Sequence, residues 1–121
     1  MGIKTGTARQ LVKEAAVAWV VLIVAGLFEV IWASAMKQSQ GFSRLWPSVV
    51  TIGAMLVSFG LLSWSMRVLP LGTAYMVWTG IGAIGAFAFG IIVLGEAATP
   101  VRLLAACLIL GGLLLMKLAQ P

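Results

Sequence analysis

Four long apolar stretches separated by short polar breaks constrain the fold of this chain more than any other feature of its sequence. A membrane-spanning helix needs about 20 predominantly apolar residues, and each stretch is close to that length. The strands of a membrane barrel would instead alternate apolar and polar residues over about 10 positions. We therefore predict an all-α integral membrane protein with four short transmembrane helices, at about residues 17–36, 45–66, 71–94 and 101–118.

The composition supports a membrane rather than a soluble setting. Of the 121 residues, 62% are hydrophobic and only 9% are charged, whereas soluble domains carry roughly 25% charged residues. We divide the chain into a polar amino-terminal extension, residues 1–16, and a single four-helix membrane domain, residues 17–121. The lipid bilayer is the first predicted partner.

Several kinds of chemistry lack the residues that they require. The chain has no His and one Cys, which leaves no ligand set for zinc, no Cys/His nucleophile pair and no disulfide within one chain. The glycine-rich segment at residues 80–85 lacks the Gly-Lys-Ser/Thr ending of a phosphate-binding loop. We expect no enzyme activity, metal or cofactor. Basic residues stand singly at the ends of apolar runs, which favours lipid headgroups over nucleic acid as their contacts.

The distribution of Lys and Arg gives the four-helix body no preferred orientation. Four spans place both termini on one side, with five basic residues there and three on the other. Without residues 1–16 the count becomes two against three, so the positive-inside rule has little to act on. The extension biases the chain towards termini inside. The terminal-side residues are Lys4, Arg9, Lys13, Arg67 and Lys117, and the others are Lys37, Arg44 and Arg102.

Glu29 is the only acidic residue inside a predicted span. Charged residues at the middle of a span cost roughly 2.5 to 3.5 kcal/mol, and they normally mark an ion or substrate path. The alternative is a structural Glu that is protonated and hydrogen-bonded to a neighbouring helix. Loss of water favours the protonated carboxyl, whereas a cation at the same oxygens favours the ionised form. Competition between the two ligands is the minimal machinery of proton/cation antiport.

Helical spacing places small and aromatic residues around this carboxyl group. Gly26 and Ala33 lie three residues before and four residues after Glu29, which leaves space on its face for a substrate or another helix. Trp32, three residues after Glu29, places an aromatic ring nearby.

Two further patterns lie on the second and third spans. Thr51, Ser58 and Ser65 recur every seventh residue and predict a stripe of hydroxyl groups, with Ser58 near mid-depth. Each hydroxyl could instead bond the carbonyl four residues earlier in its own helix. Tyr75 and Trp78 share one face of the third span, either as part of a site or as anchors at the membrane interface.

With these residues in view, the chain closely resembles the small multidrug resistance family of proton-coupled exporters, in particular its guanidinium-exporter subtype. The resemblance covers residues 18–118, and three segments carry it. They are AGLFEVIWA at 25–33, GFSRLWPS at 41–48 and LPLGTAYMVWTGIG at 69–82.

The resemblance implies roles for individual residues. Glu29 corresponds to the shared proton and substrate site, and Trp32 is typical of the guanidinium subtype. The positions that match the family's pocket and gate are Gly26, Trp32, Ser58, Tyr75 and Trp78. The glycine-rich part of the third helix, which includes Gly80, Gly82 and Gly85, resembles a bending point for alternating access, although small residues for tight packing fit the sequence equally well.

The resemblance also implies an antiparallel, dual-topology dimer in a bacterial inner membrane, with two Glu29 side chains in one central site. Ala105, Gly111 and Gly112 on the fourth helix are then candidates for close dimer packing. A homodimer is favoured over pairing with a paralogous subunit. The expected function is exchange of protons for guanidinium or small guanidinyl cations. The alternatives are export of quaternary ammonium or aromatic cationic drugs, and a partner subunit of a heteromeric pair.

Overall fold

The structure is a computed structural model that describes residues 7–119, and it consists of four α-helices joined by short turns over that range. Helix α1 covers Thr7–Gln38, α2 covers Leu45–Ser65, α3 covers Leu71–Ile92 and α4 covers Pro100–Leu118. Within the described range, these four helices are each long and apolar enough to cross a membrane. The prediction of four apolar helices is confirmed, with α2, α3 and α4 each beginning within one residue of the predicted position.

Helix α1 begins ten residues earlier than predicted. Residues 7–16 were assigned to a polar extension, but they continue the helix without a break. Hydropathy locates the edge of the bilayer, whereas the Ala, Arg, Gln, Leu, Lys and Glu residues of this segment are all good helix formers. At 32 residues and about 1.5 Å per residue, α1 is about 48 Å long. It therefore exceeds the roughly 30 Å of bilayer hydrocarbon. Lys4 lies outside the described residues.

The core lies where α1 packs against α2 and α3. Helix α1 contributes the buried stripe Ala18, Leu22 and Ala25, which follows helical spacing on one face. The buried face of α2 is made of small and hydroxyl-bearing residues, which allow a second helix to come close. Its buried residues are Thr51, Ala54, Ser58, Leu62 and Ser65.

Ser39 organises the turn that reverses α1 into α2. Its buried hydroxyl donates to the carbonyl of Met36 at 2.7 Å and accepts from the backbone N–H of Phe42 at 3.0 Å. Gln40, Gly41 and Phe42 all have positive φ, at 51°, 74° and 66°, a region that L side chains visit rarely. The hydrogen bonds of Ser39 hold this unusual turn in place. It brings α2 back along α1 and sets Ser58 beside Ala25.

Helix α4 differs from the other three because it packs chiefly against α3. Thr99 caps its beginning by accepting from the backbone N–H of Arg102 at 3.3 Å, and Pro100 occupies the first turn. At its end, the Lys117 ammonium lies 4.5 Å from the centre of the Trp19 ring. Throughout Pro100–Leu118, no residue is buried within the described chain. The apolar surface of α4 is therefore open to lipid or to another chain.

Candidate functional site

Glu29 lies on α1 with its carboxyl group directed at α3. The carboxyl group occupies the space where a Cβ atom would stand at Gly82, so a larger residue at that position would displace it. Its Oε1 atom is buried and has no hydrogen-bond partner among residues 7–119. The only salt bridge within that range joins Arg102 to Glu96. The structure thus brings Glu29 to a helix interface where no described residue pairs with this oxygen.

Ser58 joins three helices at one point. Its hydroxyl donates to the carbonyl of Ala25 on α1 at 2.7 Å and accepts from the indole N–H of Trp78 on α3 at 2.9 Å. Ser58 and Trp78 are both buried. Ser58 therefore does not bond the carbonyl four residues earlier in its own helix, which was the alternative interpretation of the hydroxyl stripe, and it does not contact the carboxyl group of Glu29 by a hydrogen bond. A hydroxyl group can donate only one hydrogen bond, and Ser58 donates it to the carbonyl of Ala25.

The other two hydroxyls of the stripe bond within α2, as the alternative interpretation expected. Thr51 donates to the carbonyl of Pro47, four residues earlier, and Ser65 donates to that of Leu62, three residues earlier, both at 2.7 Å. All three members of the stripe are fully buried. Only Ser58 therefore uses its hydroxyl to connect different helices.

A row of aromatic rings connects the predicted pocket residues. The ring centres of Tyr75 and Trp78 are 5.6 Å apart, those of Trp78 and Phe59 are 5.8 Å apart, and those of Phe59 and Trp32 are 6.1 Å apart. Tyr75 is 52% exposed, whereas Trp78 is 6% exposed. The row runs from an open end at Tyr75 to Trp32 on the helix that carries Glu29.

Trp32 leaves a second polar atom without a partner. Its indole nitrogen is buried and makes no hydrogen bond with any residue that the structure describes. The indole N–H thus does not donate to the carboxyl group of Glu29 in this structure, where the Trp32 ring packs at 75° against Phe59. An unused donor and an unused acceptor remain three residues apart on α1.

Phe59 belongs to this arrangement, although the sequence did not indicate it. Phe59 links Trp32 to Trp78, and it follows Ser58 directly in the chain. Adjacent residues on a helix point about 100° apart, so the hydroxyl stripe gave no reason to select it. The carbonyl of Ala25 was missed as well, because a backbone acceptor has no signature in side-chain patterns.

The glycines of the predicted site lie where helices approach closely. A Cβ atom at Gly26 would stand 2.7 Å from the side chain of Ile81. A Cβ atom at Gly80 would overlap Leu113 of α4, and one at Gly85 would overlap Val30 of α1. Helix α3 runs unbroken through its glycines. The structure therefore gives Gly26, Gly80 and Gly85 packing contacts.

The three candidates for dimer packing face outward. Ala105, Gly111 and Gly112 are exposed, and a Cβ atom at either glycine would meet no other atom of the described chain within 4 Å. Within residues 7–119, no three His, Cys, Asp or Glu side chains come together as a metal site would require.

Comparisons with known proteins place the chain among membrane transporters. The family described as Small Multidrug Resistance protein matches residues 17–109. A guanidinium exporter of Citrobacter freundii and one of Salmonella typhimurium are each 57% identical over 101 residues, which is 84% of this chain and 96% of theirs. A guanidinium exporter of Escherichia coli K12 is 55% identical over the same shares. The family match covers α2, α3, and most of α1 and α4, so this chain belongs to the small multidrug resistance family.

Proposed function

We propose that the chain is a secondary transporter that exports guanidinium or small guanidinyl cations in exchange for protons, with Glu29 as the shared binding site. The observation that carries the proposal is the buried Oε1 atom of Glu29, which has no partner among the described residues. Native proteins rarely leave a buried polar atom unsatisfied without a functional reason. The choice of guanidinium as the cation rests on relatives at 55–57% identity that are named guanidinium exporters.

Guanidinium suits a carboxylate better than other small cations do. Its planar array of N–H groups bonds both carboxylate oxygens at once, which adds directional specificity to the charge attraction. The cation needs the ionised carboxylate, whereas a proton bound there removes the charge. Protons entering from one side would therefore release the cation, and the cation entering from the other side would release protons.

Trp32 and the aromatic row are suited to select compact, flat cations. The free indole N–H of Trp32 can donate to the Glu29 carboxylate once the ring leaves its present position. Aromatic faces attract cations by roughly 0.5 to 2 kcal/mol. Tyr75, exposed at the end of the row, would be the first of these rings that an arriving cation meets. Trp78, fixed by Ser58, would form the wall of the pocket.

The site requires a second chain. Four helices of this length hardly enclose a path, and α4 is open along Pro100–Leu118, within the described chain. We propose that two copies pair in opposite orientations through α4, with Ala105, Gly111 and Gly112 allowing close contact, and contribute two Glu29 residues to one site in a bacterial inner membrane. The even charge balance of residues 17–121 fits such insertion. Small movements at Gly80, Gly82 and Gly85 of α3 would then expose the site to each side in turn.

The decisive test is proton release on substrate binding. Purified protein in weakly buffered detergent solution receives guanidinium, methylguanidinium or tetramethylammonium while pH is recorded. We expect protons to leave when either guanidinyl cation binds, and the apparent affinity to fall as pH is lowered. Guanidinium binding without proton release would refute exchange at a shared carboxylate.

Electrical currents from proteoliposomes, recorded with the same cations and an aromatic drug cation, identify the transported class. Currents with guanidinyl cations alone support the proposal. Currents confined to quaternary ammonium or aromatic cations would indicate a drug exporter. Currents that appear only after co-expression with a paralogue would indicate a partner subunit.

A further inference from the structure

The first turns of α1 form a cleft with the end of α2, and its lining combines charged with apolar side chains. The cleft has a volume of about 500 Å³, and its lining includes Lys13 and Glu14 on α1 together with Trp64 and Arg67 around the end of α2. Gln10 and Lys13 lie three residues apart on one face of α1. The family match begins at residue 17, so the α1 side of this cleft lies mostly outside the part that the family shares.

The cleft contains two cationic side chains and one carboxylate. Neither Lys13 nor Arg67 forms an ion pair with a carboxylate of the described residues, although Glu14 lines the same cleft. Glu14 instead accepts a long hydrogen bond, 3.5 Å, from the side-chain amide of Gln10. The cleft therefore has two positive charges and one negative charge, and its net charge favours an anion.

The depth of the cleft places it at the lipid headgroups. Helix α1 is longer than the hydrocarbon layer is thick, and Lys13 lies before its continuous apolar stretch. Trp64 is 39% exposed, at the polar end of an apolar helix, where Trp residues mark the membrane interface.

We propose that this cleft binds the phosphate headgroup of an anionic phospholipid. Lys13 and Arg67 contact the phosphate, Arg67 through its planar set of donors, and Trp64 lies at the glycerol level. Basic pockets between transmembrane helices are suited to such headgroups. The site is separate from Glu29, so it does not depend on the proposed transport function.

Native mass spectrometry of the full-length protein, titrated with phosphatidylglycerol or with phosphatidylcholine of the same acyl chains, tests the proposal. We expect preferential retention of phosphatidylglycerol. Lys13→Gln and Arg67→Gln should each weaken its binding about fivefold, the effect of one basic residue near an anionic headgroup. Glu14→Gln should strengthen it, because it removes the one negative charge of the cleft.

Lys117→Gln is the matched control. It removes the same charge at the same end of the bundle, but Lys117 packs on Trp19 outside the cleft, so phosphatidylglycerol binding should stay within about twofold of wild type. Equal weakening by Lys117→Gln would show general charge attraction and overturn the proposal, as would equal retention of the two lipids.

Two further arms separate other ligands of the same cleft. Displacement of the lipid by millimolar inorganic phosphate would reassign the cleft to free phosphate. Stronger retention of phosphatidylethanolamine, weakened by Glu14→Gln, would mean that Glu14 binds an ammonium group and that the headgroup is zwitterionic. Either result overturns the anionic-lipid proposal. The three substituted side chains other than that of Lys117 line an open cleft. The thermal unfolding temperature of each variant verifies that the fold is retained.

Discussion

Ser58 and Glu29 are polar residues on helices that pack against each other, but their surroundings differ. The hydroxyl of Ser58 both donates and accepts, and it connects α1, α2 and α3. The buried oxygen of Glu29 has no partner among residues 7–119. An unsatisfied buried polar group costs roughly 1 to 3 kcal/mol. Ser58 uses its hydrogen bonds to hold the helices together, whereas the Glu29 oxygen is left available to a ligand. Stability and ligand binding are thus assigned to different residues.

The sharpest way to break this comparison is Glu29→Gln. The amide cannot exchange a proton in the physiological range, so coupled guanidinium flux in proteoliposomes should fall at least about 100-fold. Because Glu29 makes no ion pair within the described chain, the free energy of unfolding should change by less than about 1 kcal/mol. Glu29→Asp should retain transport with a different pH profile. Wild-type coupled flux in Glu29→Gln would contradict the assignment.

Gly82→Ala tests the space that Glu29 occupies. A Cβ atom there would overlap the carboxyl group, so the side chain must move and guanidinium affinity should fall roughly tenfold. Gly60→Ala is the control, because a Cβ atom at Gly60 meets no other atom of the described chain within 4 Å. Isothermal titration with guanidinium gives both affinities. Equal affinities for the two variants would show that the position of the carboxyl group does not matter.

Ser58→Ala should lower stability rather than abolish transport directly. The substitution leaves the buried N–H of Trp78 without its acceptor, which costs roughly 1 to 3 kcal/mol of unfolding free energy. Ser65→Ala is the matched control: Ser65 is also fully buried, but its hydroxyl bonds only within its own helix, so the loss should be smaller. Denaturant unfolding in detergent micelles measures both. Similar losses would mean that the bond between helices adds nothing.

Phe59→Leu should have the smallest effect of the series. It keeps an apolar side chain and the Ser58 hydrogen bonds, but removes the ring contacts with Trp32 and Trp78. Aromatic pairs contribute roughly 0.5 to 1.5 kcal/mol beyond burial, and because Phe59 is 45% exposed and Leu keeps part of the contact, we expect a total loss of stability near the lower end of that range in the same unfolding assay. Phe59→Tyr, which keeps a ring, should restore most of it. A loss equal in both variants would exclude the ring contacts as its cause.

The sequence predicted the helices well because lipid imposes simple rules. Continuous apolar runs are required to span a bilayer, and Pro70 and Lys37 mark clear breaks between them. The predicted beginning of α1 was wrong, because a helix continues beyond the hydrocarbon layer wherever its residues favour helix. Hydropathy indicates which residues lie in the hydrocarbon of the bilayer, whereas helix propensity and hydrogen bonding determine where the helix begins and ends.

Contacts within the site were harder to predict than its members. Periodicity correctly grouped Thr51, Ser58 and Ser65 on one buried face, but it could not tell which hydroxyl would reach a neighbouring helix. That choice depends on the register between α1 and α2, which the turn around Ser39 sets. The same register decides that Phe59 meets Trp32. The roles predicted for Glu29, Trp32 and Tyr75 in transport remain predictions.

The bare surface of α4 has a consequence for how the protein accumulates in a cell. No side chain of α4 is fully buried within the described chain, so the helix gains little free energy from packing against its own chain, and its final position depends on contact with a neighbour. If a second copy is that neighbour, the yield of working transporter rises more steeply than the amount synthesised. Scarce expression would then leave solitary chains that are correctly inserted and yet inactive.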